Sequence, residues 1–585
     1  MTNHRTTKNY IKWHIFFMAV LLYLLSGVCF GQSSPNEKEV IKNAELEWQE
    51  GHYQKGFNLF KGAVAINPQN NYTNFRVGEI YFLSDSAKIK ALPYLLNAIK
   101  YSSRSKNDSA IMAYYYLGYC YMLEENYDSA SICFKKYKAD LPNTKENEQA
   151  IKEIDRNLQI CYSAPGILQQ TTEYASYLIN GIHKQNLYVL NLGDSINTKF
   201  PEYAQIVFNN DSNISFTSRR PTKENPKVDE VTGKYLEDIY ECKKDKKGVW
   251  SSPSLYSRQI HLHETELYTA SVFMSADQNT LFSYRDGSIL ESKRENGKWG
   301  VPKDLSKSIK KLKGAYVPSI FLSDDGTKLI LVTDMEGGYG GRDIYMCTLD
   351  STGNWKEPEN LGPQINTAED EDGPFLLPDN KTLFFSSKGH GGLGGYDIFV
   401  SKYDSGKWST PINMGAPINS PADDIYFSYK DYKGYFSSSR LGGFGDLDIY
   451  SYDIEPKPPK HDTMIAKMDT GIKTLKLSCT VYFQLAKHDL NKKYYPRLDS
   501  VIAMLKANPR MKISVNGYTC AIGGDSYNKD LSVMRASVVA SYLFKHGVGF
   551  DRLVYQGFGK THYVAPNDGK QNYLNRRTEV YQMVK

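Results

Sequence analysis

The sequence predicts a multidomain protein in which an α-helical repeat region precedes a many-stranded β region and a final α/β domain. Three observations predict this order: a helical pattern that repeats at an offset of 74 residues, a glycine-rich motif that recurs between short strands, and a last segment that alternates strands with helices. The chain of 585 residues is too long for one core, because single cores stop growing near about 250–300 residues. Its net charge of +6 does not indicate the strongly basic surface that binds nucleic acid.

Residues 1–31 are predicted to be an export signal. A basic start precedes the apolar run Ile15–Leu25, which suits a signal peptide and is too short to span a membrane comfortably. We expect cleavage after Gly31 and an exported protein; an uncleaved anchor is the alternative. Cys29 could carry a lipid, but Val28 before it is larger than the residue that lipoprotein processing prefers.

Residues 37–162 show helical periodicity and an internal repeat. Most aligned positions hold small, aromatic or proline side chains: Ala44, Gly51, Tyr53, Gly56, Phe60 and Pro68 align with Gly118, Glu125, Tyr127, Ala130, Phe134 and Pro142. A looser copy around Gly78 lies between them. The pattern resembles the tetratricopeptide repeat, whose period is about 34 residues. The resemblance implies a surface that binds envelope proteins; a helical bundle that only spaces the next domain is the alternative.

Residues 170–454 contain short alternating strands with glycine-rich turns. The motif Gly337–Tyr345 (GGYGGRDIY) recurs as Gly391–Phe399 (GGLGGYDIF) and Gly442–Tyr450 (GGFGDLDIY). Units that begin near residues 203, 268, 316, 372 and 425 are 65, 48, 56 and 53 residues apart, which suits four-stranded blades with variable loops. The repeats resemble the WD-like repeats of the TolB type. This resemblance implies a β-propeller of five blades, with six as the alternative.

The two ends of this region complement each other. The last unit lacks the segment that matches Leu361–Thr367 in an earlier copy, and a matching segment, Leu190–Thr198, stands at the start. We expect the early segment to complete the final blade, because closing a ring removes its exposed strand edges. Each glycine-rich turn lacks the alternating carboxylates of a calcium loop, so its aspartate is predicted to be structural. The acidic run Glu369–Asp372 is predicted to be a solvated loop.

No metal, cofactor or catalytic site is predicted. The eight cysteines include no Cys-x-x-Cys pair and no Cys/His cluster with zinc-ligand spacing. The sequence also lacks the nucleophile-elbow and metalloprotease motifs, so we expect a protein that is not an enzyme.

The proline-rich segment 455–474 predicts a stiff linker before a domain over 475–585. The predicted strands of that domain are Val481–Phe483, Met511–Tyr518, Leu553–Phe558 and Thr578–Met583. Its predicted helices are Tyr494–Asn508 and Ser532–His546.

Several motifs of this domain, in order, resemble the OmpA-like peptidoglycan-binding family: GYTC at 517–520, LSVMRA at 531–536, GFG at 557–559 and NRRTE at 575–579. The resemblance implies a site for the diaminopimelate of the stem peptide, formed by Tyr518, Thr519, Cys520, Asp525, Asn528, Arg535 and Arg577. In the family an aspartate at the position of Cys520 holds the ligand ammonium, and an arginine at the position of Arg535 takes the carboxylate. Cys520 cannot supply that charge, so the ammonium partner is lost unless Asp525 replaces it. A Cys479–Cys520 disulfide is not expected, because the two residues lie at opposite ends of parallel strands.

The order of the regions resembles PorE-type and related OmpA-family proteins of the Bacteroidetes envelope. The resemblance implies a non-catalytic periplasmic tether that links an outer-membrane-associated assembly, such as the type IX secretion system, to peptidoglycan. PorE-type proteins usually carry a further small β domain before the last domain, for which this linker leaves no room. The alternative is a protein-interaction scaffold whose last domain no longer binds peptidoglycan.

Overall fold

The computed structural model describes residues 35–84, 88–102, 108–170, 187–221, 228, 234–246, 248–262, 269–285, 288–305, 309–312, 314–430, 433–454, 473–485, 487, 490–508, 511–522, 528, 531–532, 535–536, 538–540, 542–543, 546, 548, 552–567 and 571–584. The predicted export signal with Cys29, residues 455–472 of the predicted linker, and Asp525 lie outside these residues. Within them, no helix combines the length and the apolar character needed to cross a membrane.

The N-terminal region is helical. Its α-helices are α1 (Pro35–Gln49), α2 (Tyr53–Ile66), α3 (Asn71–Leu83), α4 (Leu92–Lys100), α5 (Asp108–Leu123), α6 (Tyr127–Asp140) and α7 (Glu148–Gln170). Asn70 and Asn126 cap α3 and α6, each accepting a backbone N–H bond of 3.1 Å from the residue three positions later.

Consecutive helices pack in pairs, and a small residue stands where they approach most closely. A Cβ added at Gly56 would lie 3.0 Å from the carbonyl oxygen of Ala44, and one at Gly118 would lie 2.3 Å from the ring of Phe134. These four residues occupy the aligned positions of the sequence repeat. The repeat therefore encodes the helix contact, because larger side chains there would push the paired helices apart.

The central region consists of short antiparallel strands: β1 (Leu187–Asn191), β2 (Glu202–Phe208), β3 (Asn213–Ser218), β4 (Asp238–Lys243), β5 (Ser254–Leu255), β6 (Thr269–Met274), β7 (Thr280–Arg285), β8 (Ser288–Glu295), β9 (Lys298–Trp299), β10 (Lys303–Asp304), β11 (Ser319–Leu322), β12 (Lys328–Thr333), β13 (Asp343–Thr348), β14 (Glu359–Asn360), β15 (Glu371–Leu376), β16 (Thr382–Ser387), β17 (Asp397–Asp404), β18 (Lys407–Trp408), β19 (Ile412–Asn413), β20 (Asp424–Lys430), β21 (Lys433–Ser438) and β22 (Asp448–Ile454). They form sheets β2–β5, β6–β10, β11–β14 and β15–β19, and a last sheet in the order β1-β22-β21-β20.

These five sheets form a closed cycle. Strand β2 contacts β6, β6 contacts β11, β11 contacts β15, β15 contacts β20, and the sheet of β20 returns to β2. Strand β1 completes the last sheet by pairing antiparallel with β22, from Leu187 opposite Ile454 to Asn191 opposite Tyr450. The N-terminal segment therefore closes the cycle, as expected, although the strand itself begins at Leu187 and ends at Asn191.

The aspartate of each glycine-rich turn caps that turn. Asp397 Oδ2 accepts N–H bonds from Leu393 (3.0 Å) and Gly394 (3.1 Å), and Asp448 accepts one from Gly445 at 3.0 Å. Burial raises the pKa of Asp448 to about 7. The prediction of structural aspartates is confirmed for these turns, because each carboxylate satisfies backbone N–H groups that would otherwise be buried without a partner.

A repeated asparagine joins the end of one unit to a strand of the sheet. Asn197 accepts a hydrogen bond from the Ile449 N–H (2.8 Å), donates to the Ile449 carbonyl (2.9 Å) and donates to Asn191 (2.8 Å). Asn366 makes the corresponding bonds to Ile344 and Asn360, and Asn419 makes them to Ile398 and Asn413. At Asn197 this contact links residues that are 252 positions apart, so it fastens the two ends of the cycle.

The prediction of a solvated loop at Glu369–Asp372 is wrong. Glu371 and Asp372 begin β15 and are buried, at 0% and 1% exposure. Glu371 accepts hydrogen bonds from Thr367 and from the Ser387 hydroxyl (2.7 Å), and burial raises its pKa to about 7. Asp372 pairs with Arg342 at 2.6 Å. Contacts from distant strands bring these carboxylates inside, which the local charge pattern does not reveal.

The helical region docks on the glycine-rich turns of the sheets. Leu393, in the turn before β17, is fully buried in the same apolar cluster as Phe134 and Ile154 of the helices. Tyr127 donates a hydrogen bond of 3.0 Å to the Leu393 carbonyl. The corresponding residues of the other two turns, Tyr339 and Phe444, are 51% and 41% exposed, so among these three residues only Leu393 makes a buried apolar contact with the helices.

Two ion pairs accompany this apolar contact. Lys88 pairs with Asp446 at 2.6 Å, and Arg156 pairs with Glu369 at 2.8 Å. All four side chains are 20–30% exposed, so water screens each pair and its contribution is modest.

Leu393→Ala should therefore loosen the helical region from the sheets. Removing a buried leucine side chain costs about 2–5 kcal/mol. We expect faster hydrogen exchange in α6 and α7. The matched control is Phe444→Ala, which truncates an exposed side chain at the same position of another turn. Equal protection in both variants would show that Leu393 does not hold the two regions together.

The C-terminal domain is a mixed sheet covered by helices. Its strands are β23 (Lys473–Tyr482), β24 (Lys512–Gly517), β25 (Leu553–Gly557) and β26 (Arg577–Val584), in the order β23-β26-β24-β25. Helices α8 (Tyr495–Ala507) and α9 (Asn572–Asn575) belong to it, as do further helical residues between 528 and 543. The sheet begins earlier than predicted, so the last two residues of the predicted linker belong to β23. Tyr555 donates a hydrogen bond of 2.6 Å to the Val189 carbonyl, which brings β25 against β1.

Candidate functional site

The predicted site residues that the structure describes lie at one end of the C-terminal sheet. Strands β23 and β24 both run antiparallel to β26, and β25 runs parallel to β24. Strands β23, β24 and β25 therefore end, and β26 begins, at the same end of the sheet. The described residues of three segments lie at this end of the sheet, which we call the loop end: 483–485, 487 and 490; 518–522, 528 and 531; and 558–567 and 571–576.

A glycine allows the helix that carries Arg535 to approach this end. A Cβ at Gly517 would lie 1.9 Å from the carbonyl oxygen of Ser532, so only glycine fits there. The Ser532 hydroxyl accepts a hydrogen bond of 2.8 Å from the Gly559 N–H. These contacts fix the segments after β24 and β25 against the same helix.

The segment Tyr518–Cys520 is buried between its neighbours. Tyr518 donates its N–H to the Arg577 carbonyl at 2.7 Å, and Thr519 donates to the Gly559 carbonyl at 3.0 Å. The Thr519 hydroxyl is buried and has no hydrogen-bond partner among the described residues. Cys520 is 2% exposed, and its thiol is free, as is that of Cys479.

Arg535 is a fully buried side chain whose guanidinium binds backbone carbonyl groups. Its Nε donates to Lys487 (3.0 Å), Nη1 to Tyr518 (3.1 Å) and Nη2 to Gln484 (3.0 Å). The guanidinium also lies 5.3 Å from the centroid of the Phe483 ring. Arg535 thus joins two segments of the loop end, a structural role in addition to the predicted contact with a ligand carboxylate.

Arg577 and Tyr518 form a second buried cluster. The Arg577 guanidinium lies 4.1 Å from the centroid of the Tyr518 ring, and its Nε pairs with Glu579 at 3.0 Å. Burial raises the pKa of Tyr518, so its hydroxyl stays protonated at neutral pH. Glu579 already neutralises the charge of Arg577. Arg577 therefore contributes to the order of the site more than to its net charge.

Asn528 is also buried and donates a hydrogen bond of 2.9 Å to the Ile522 carbonyl. The sequence interpretation assigned no role to Asn575, although the NRRTE motif contains it. Its Oδ1 accepts N–H bonds from Val564 (2.9 Å) and Ala565 (3.1 Å), which fixes the segment after β25. The NRRTE motif could have pointed to Asn575 from the sequence, but its hydrogen bonds to Val564 and Ala565 exist only in the folded chain.

One described group of side chains could bring three metal-ligand atoms together, away from this domain. Glu47, Glu50 and His52 place their ligand atoms within 4.8 Å of one another at the turn between α1 and α2. Glu47 already pairs with Lys55 at 2.5 Å, and the group is largely exposed. Exposed acidic groups of this kind are common without a metal ion, and this one carries no functional assignment.

The C-terminal segment matches a known family. Residues 482–577 fit the model of the OmpA family. The C-terminal domain is OmpA-like. The chain is 30% identical over 112 residues to the peptidoglycan-associated lipoprotein of Buchnera aphidicola, covering 19% of this chain and 65% of that protein. It is 37% identical over 87 residues to the peptidoglycan-binding protein ArfA of Mycobacterium tuberculosis, covering 15% of this chain and 27% of that protein.

Among solved structures, the peptidoglycan-associated lipoprotein of Burkholderia pseudomallei is 27% identical and covers 18% of this chain and 90% of that chain. Its TM-score of 0.18 is too low to support a structural argument. The aligned stretch spans between 14% and 65% of the length of the curated relatives compared. The OmpA-like domain is thus the part of the chain that these relatives inform.

Proposed function

We propose that this protein is a non-catalytic tether in the periplasm, which links an outer-membrane-associated protein assembly to peptidoglycan. The OmpA-like domain carries this proposal, since relatives of that domain are named for binding or associating with peptidoglycan. The geometry of its loop end supports it, because hydrogen bonds to Arg535, Gly559 and Arg577 hold the backbone of Tyr518 and Thr519 in place. The diaminopimelate stem peptide is the ligand we propose for this end.

The two preceding regions provide the surfaces for the assembly. We take the closed cycle of five sheets to be a five-bladed β-propeller and the paired helices to be tetratricopeptide repeats. The contacts of Leu393, Lys88 and Arg156 support their action as one unit, because they hold the helices on the turns of the sheets. The type IX secretion system is the assembly that the PorE-type resemblance implies.

A second candidate is a protein-interaction scaffold that does not bind the cell wall. Two observations favour it: position 520 is a buried, uncharged cysteine, and three donor atoms of Arg535 are engaged by backbone carbonyls. A diaminopimelate end carries both an ammonium and a carboxylate. Losing one member of a charge-paired recognition site typically costs about 2–5 kcal/mol.

Sedimentation with purified sacculi tests the tether. We expect the full-length protein to pellet with sacculi at physiological salt and to be released by soluble muropeptides that contain diaminopimelate. Muropeptides with lysine in that position are the control competitor and should release much less protein. If the protein stays in the supernatant, the tether is excluded and the scaffold remains.

A further inference from the structure

Six side chains from four of the five sheets meet in the middle of the closed cycle. They lie in or beside strands of the first, third, fourth and last sheets: Tyr203 and Glu237, Tyr316 and Arg342, Asp372, and Tyr426. The Tyr426 hydroxyl interacts electrostatically with Arg342, and the Tyr316 hydroxyl interacts with Glu237. The third sheet is next to neither the first nor the last sheet, so these groups meet across the axis of the cycle. We call the six residues the axial cluster.

The charged members of the axial cluster are held in fixed positions. Arg342 pairs with Asp372 at 2.6 Å, which joins the third sheet to the fourth. Glu237 accepts a hydrogen bond of 2.9 Å from Arg219, which follows β3. Because these ion pairs are made within the protein, the cluster is ordered before any ligand arrives.

The tyrosines of the cluster keep groups that a ligand could use. Tyr203 and Tyr426 stack with ring centroids 6.0 Å apart, and Tyr316 donates its N–H to Asp334 at 3.0 Å. Among the described residues, the hydroxyls of Tyr316 and Tyr426 make no hydrogen bond, and no lysine or arginine lies over the three rings. Burial raises the pKa of Tyr316 to about 12 although its side chain is 37% exposed. Its ring therefore faces an enclosed space.

A neighbouring tyrosine shows which contact such a ring can make. Tyr396, in the turn before β17, has Lys388 Nζ at 4.5 Å and the Arg342 guanidinium at 5.9 Å from its ring centroid. The face of a tyrosine ring attracts cations through its uneven charge distribution. The tyrosines of the axial cluster present the same kind of face at the same end of the sheets.

The charge around the axial cluster favours a cation over an anion. Its two carboxylates and that of Asp334 outnumber the guanidinium groups of Arg219 and Arg342 by one. The flanking pair of Asp370 and Lys388 adds no net charge. Asp334 is exposed and has no ion-pair partner among the described residues. An incoming anion would meet this excess of carboxylates, whereas a cation would be attracted to it.

We propose that the axial cluster binds a lysine or arginine side chain of a partner protein, over the ring of Tyr316 and beside the carboxylates of the cluster. Arg342 belongs to the glycine-rich turn of Tyr339, and the helices dock on the corresponding turn of Leu393. A partner held by the helical region can thus reach the cluster. This inference rests on the proposed role of the helices and sheets in binding the assembly, and it is independent of any contact with peptidoglycan.

Ligand-observed NMR with end-blocked tripeptides tests this site on the full-length protein at low salt. Gly-Arg-Gly should bind with a dissociation constant of about 1 mM or below, and Gly-citrulline-Gly, which lacks the charge, should bind at least about tenfold more weakly. Tyr316→Ala should weaken binding of the arginine peptide by about 3- to 30-fold. Tyr316→Phe keeps the ring and should stay within about threefold of wild type.

Two further variants keep the test independent of folding. Asp334→Asn retains an acceptor for the Tyr316 N–H but removes an exposed charge, so it should melt like wild type and bind the arginine peptide about 2- to 5-fold more weakly. The matched control is Tyr403→Ala, which truncates a 40% exposed tyrosine of β17 and should leave the affinity unchanged.

Each contrary outcome overturns the inference. Absence of binding, or equal binding of the arginine and citrulline peptides, would show that the cluster does not recognise a cation. Tighter binding of Gly-Glu-Gly would assign the cluster to an anion held by Arg219 and Arg342. Unchanged affinity in both Tyr316→Ala and Asp334→Asn would place the peptide elsewhere on the chain. None of these results bears on the tether, which sedimentation with sacculi tests separately through the OmpA-like domain.

Discussion

Deleting residues 187–198 should unfold the five sheets in one cooperative step. Strand β1 supplies the outer partner of β22, and removing it leaves a row of unpaired backbone groups on the last sheet. The deletion also removes Ile196, which is buried in the cluster that contains Tyr435 and Ile449. It further removes the hydrogen bonds between the Asn197 side chain and the backbone of Ile449. Since these contacts join the two ends of the cycle, their loss affects every sheet.

Calorimetry and hydrogen exchange measure this effect. We expect the melting transition of the β region to move down by many degrees and protection to fall in strands as distant as β12. A milder version is Asn197→Ala, which leaves the buried N–H of Ile449 without a partner at about 1–3 kcal/mol, while the Ile449 carbonyl keeps the Leu192 N–H at 3.1 Å. The matched control is Asn366→Ala, which removes the same bonds within neighbouring elements. If Asn197→Ala and the deletion both leave the transition unchanged, closure is made elsewhere.

Cys520→Asp should raise the affinity for diaminopimelate-containing muropeptides by roughly 10–150-fold. The substitution restores an anion beside Thr519 and Tyr518, where the ligand ammonium would lie, and a hydrogen bond to a charged group is worth about 1.5–3 kcal/mol. The matched control is Cys520→Ser, which keeps the size of the side chain without the charge and should leave the affinity near wild type. Calorimetric titration of the muropeptide into each variant gives the result.

If Asp525 already supplies the anion, Cys520→Asp adds little and Asp525→Ala removes binding, so the two variants distinguish these cases. Arg535→Ala, in contrast, is a poor test of ligand binding. It removes the guanidinium donor from the carbonyls of Gln484, Lys487 and Tyr518, of which Tyr518 keeps the Arg577 N–H at 3.3 Å. Each carbonyl left without a donor costs about 1–3 kcal/mol, so the domain should lose stability. A loss of binding in that variant must be read together with its melting temperature.

Much of the candidate site could be predicted from motifs. The residues of GYTC, LSVMRA and NRRTE come together at one end of the sheet because each follows or precedes a strand whose direction the alternating pattern predicts. The structural role of Arg535 could not be predicted, because its acceptors at residues 484, 487 and 518 are 51, 48 and 17 positions away. The burial of Glu371 could not be predicted for the same reason, because its hydrogen-bond partner Ser387 lies 16 positions away.

The sequence by itself determined the features that depend on local periodicity. The offset of 74 residues defines the helix pairs, the Gly-rich motif with its aspartate defines each turn, and the early segment that matches Leu361–Thr367 indicates closure of the cycle. Such patterns are readable because side-chain spacing fixes which face of a helix or strand is apolar. Only the tertiary structure decided which repeated element acquires a partner. Leu393 is buried by the helices, while Tyr339 and Phe444 stay exposed. Burial of this kind depends on contacts between residues distant in the chain, which no local pattern contains.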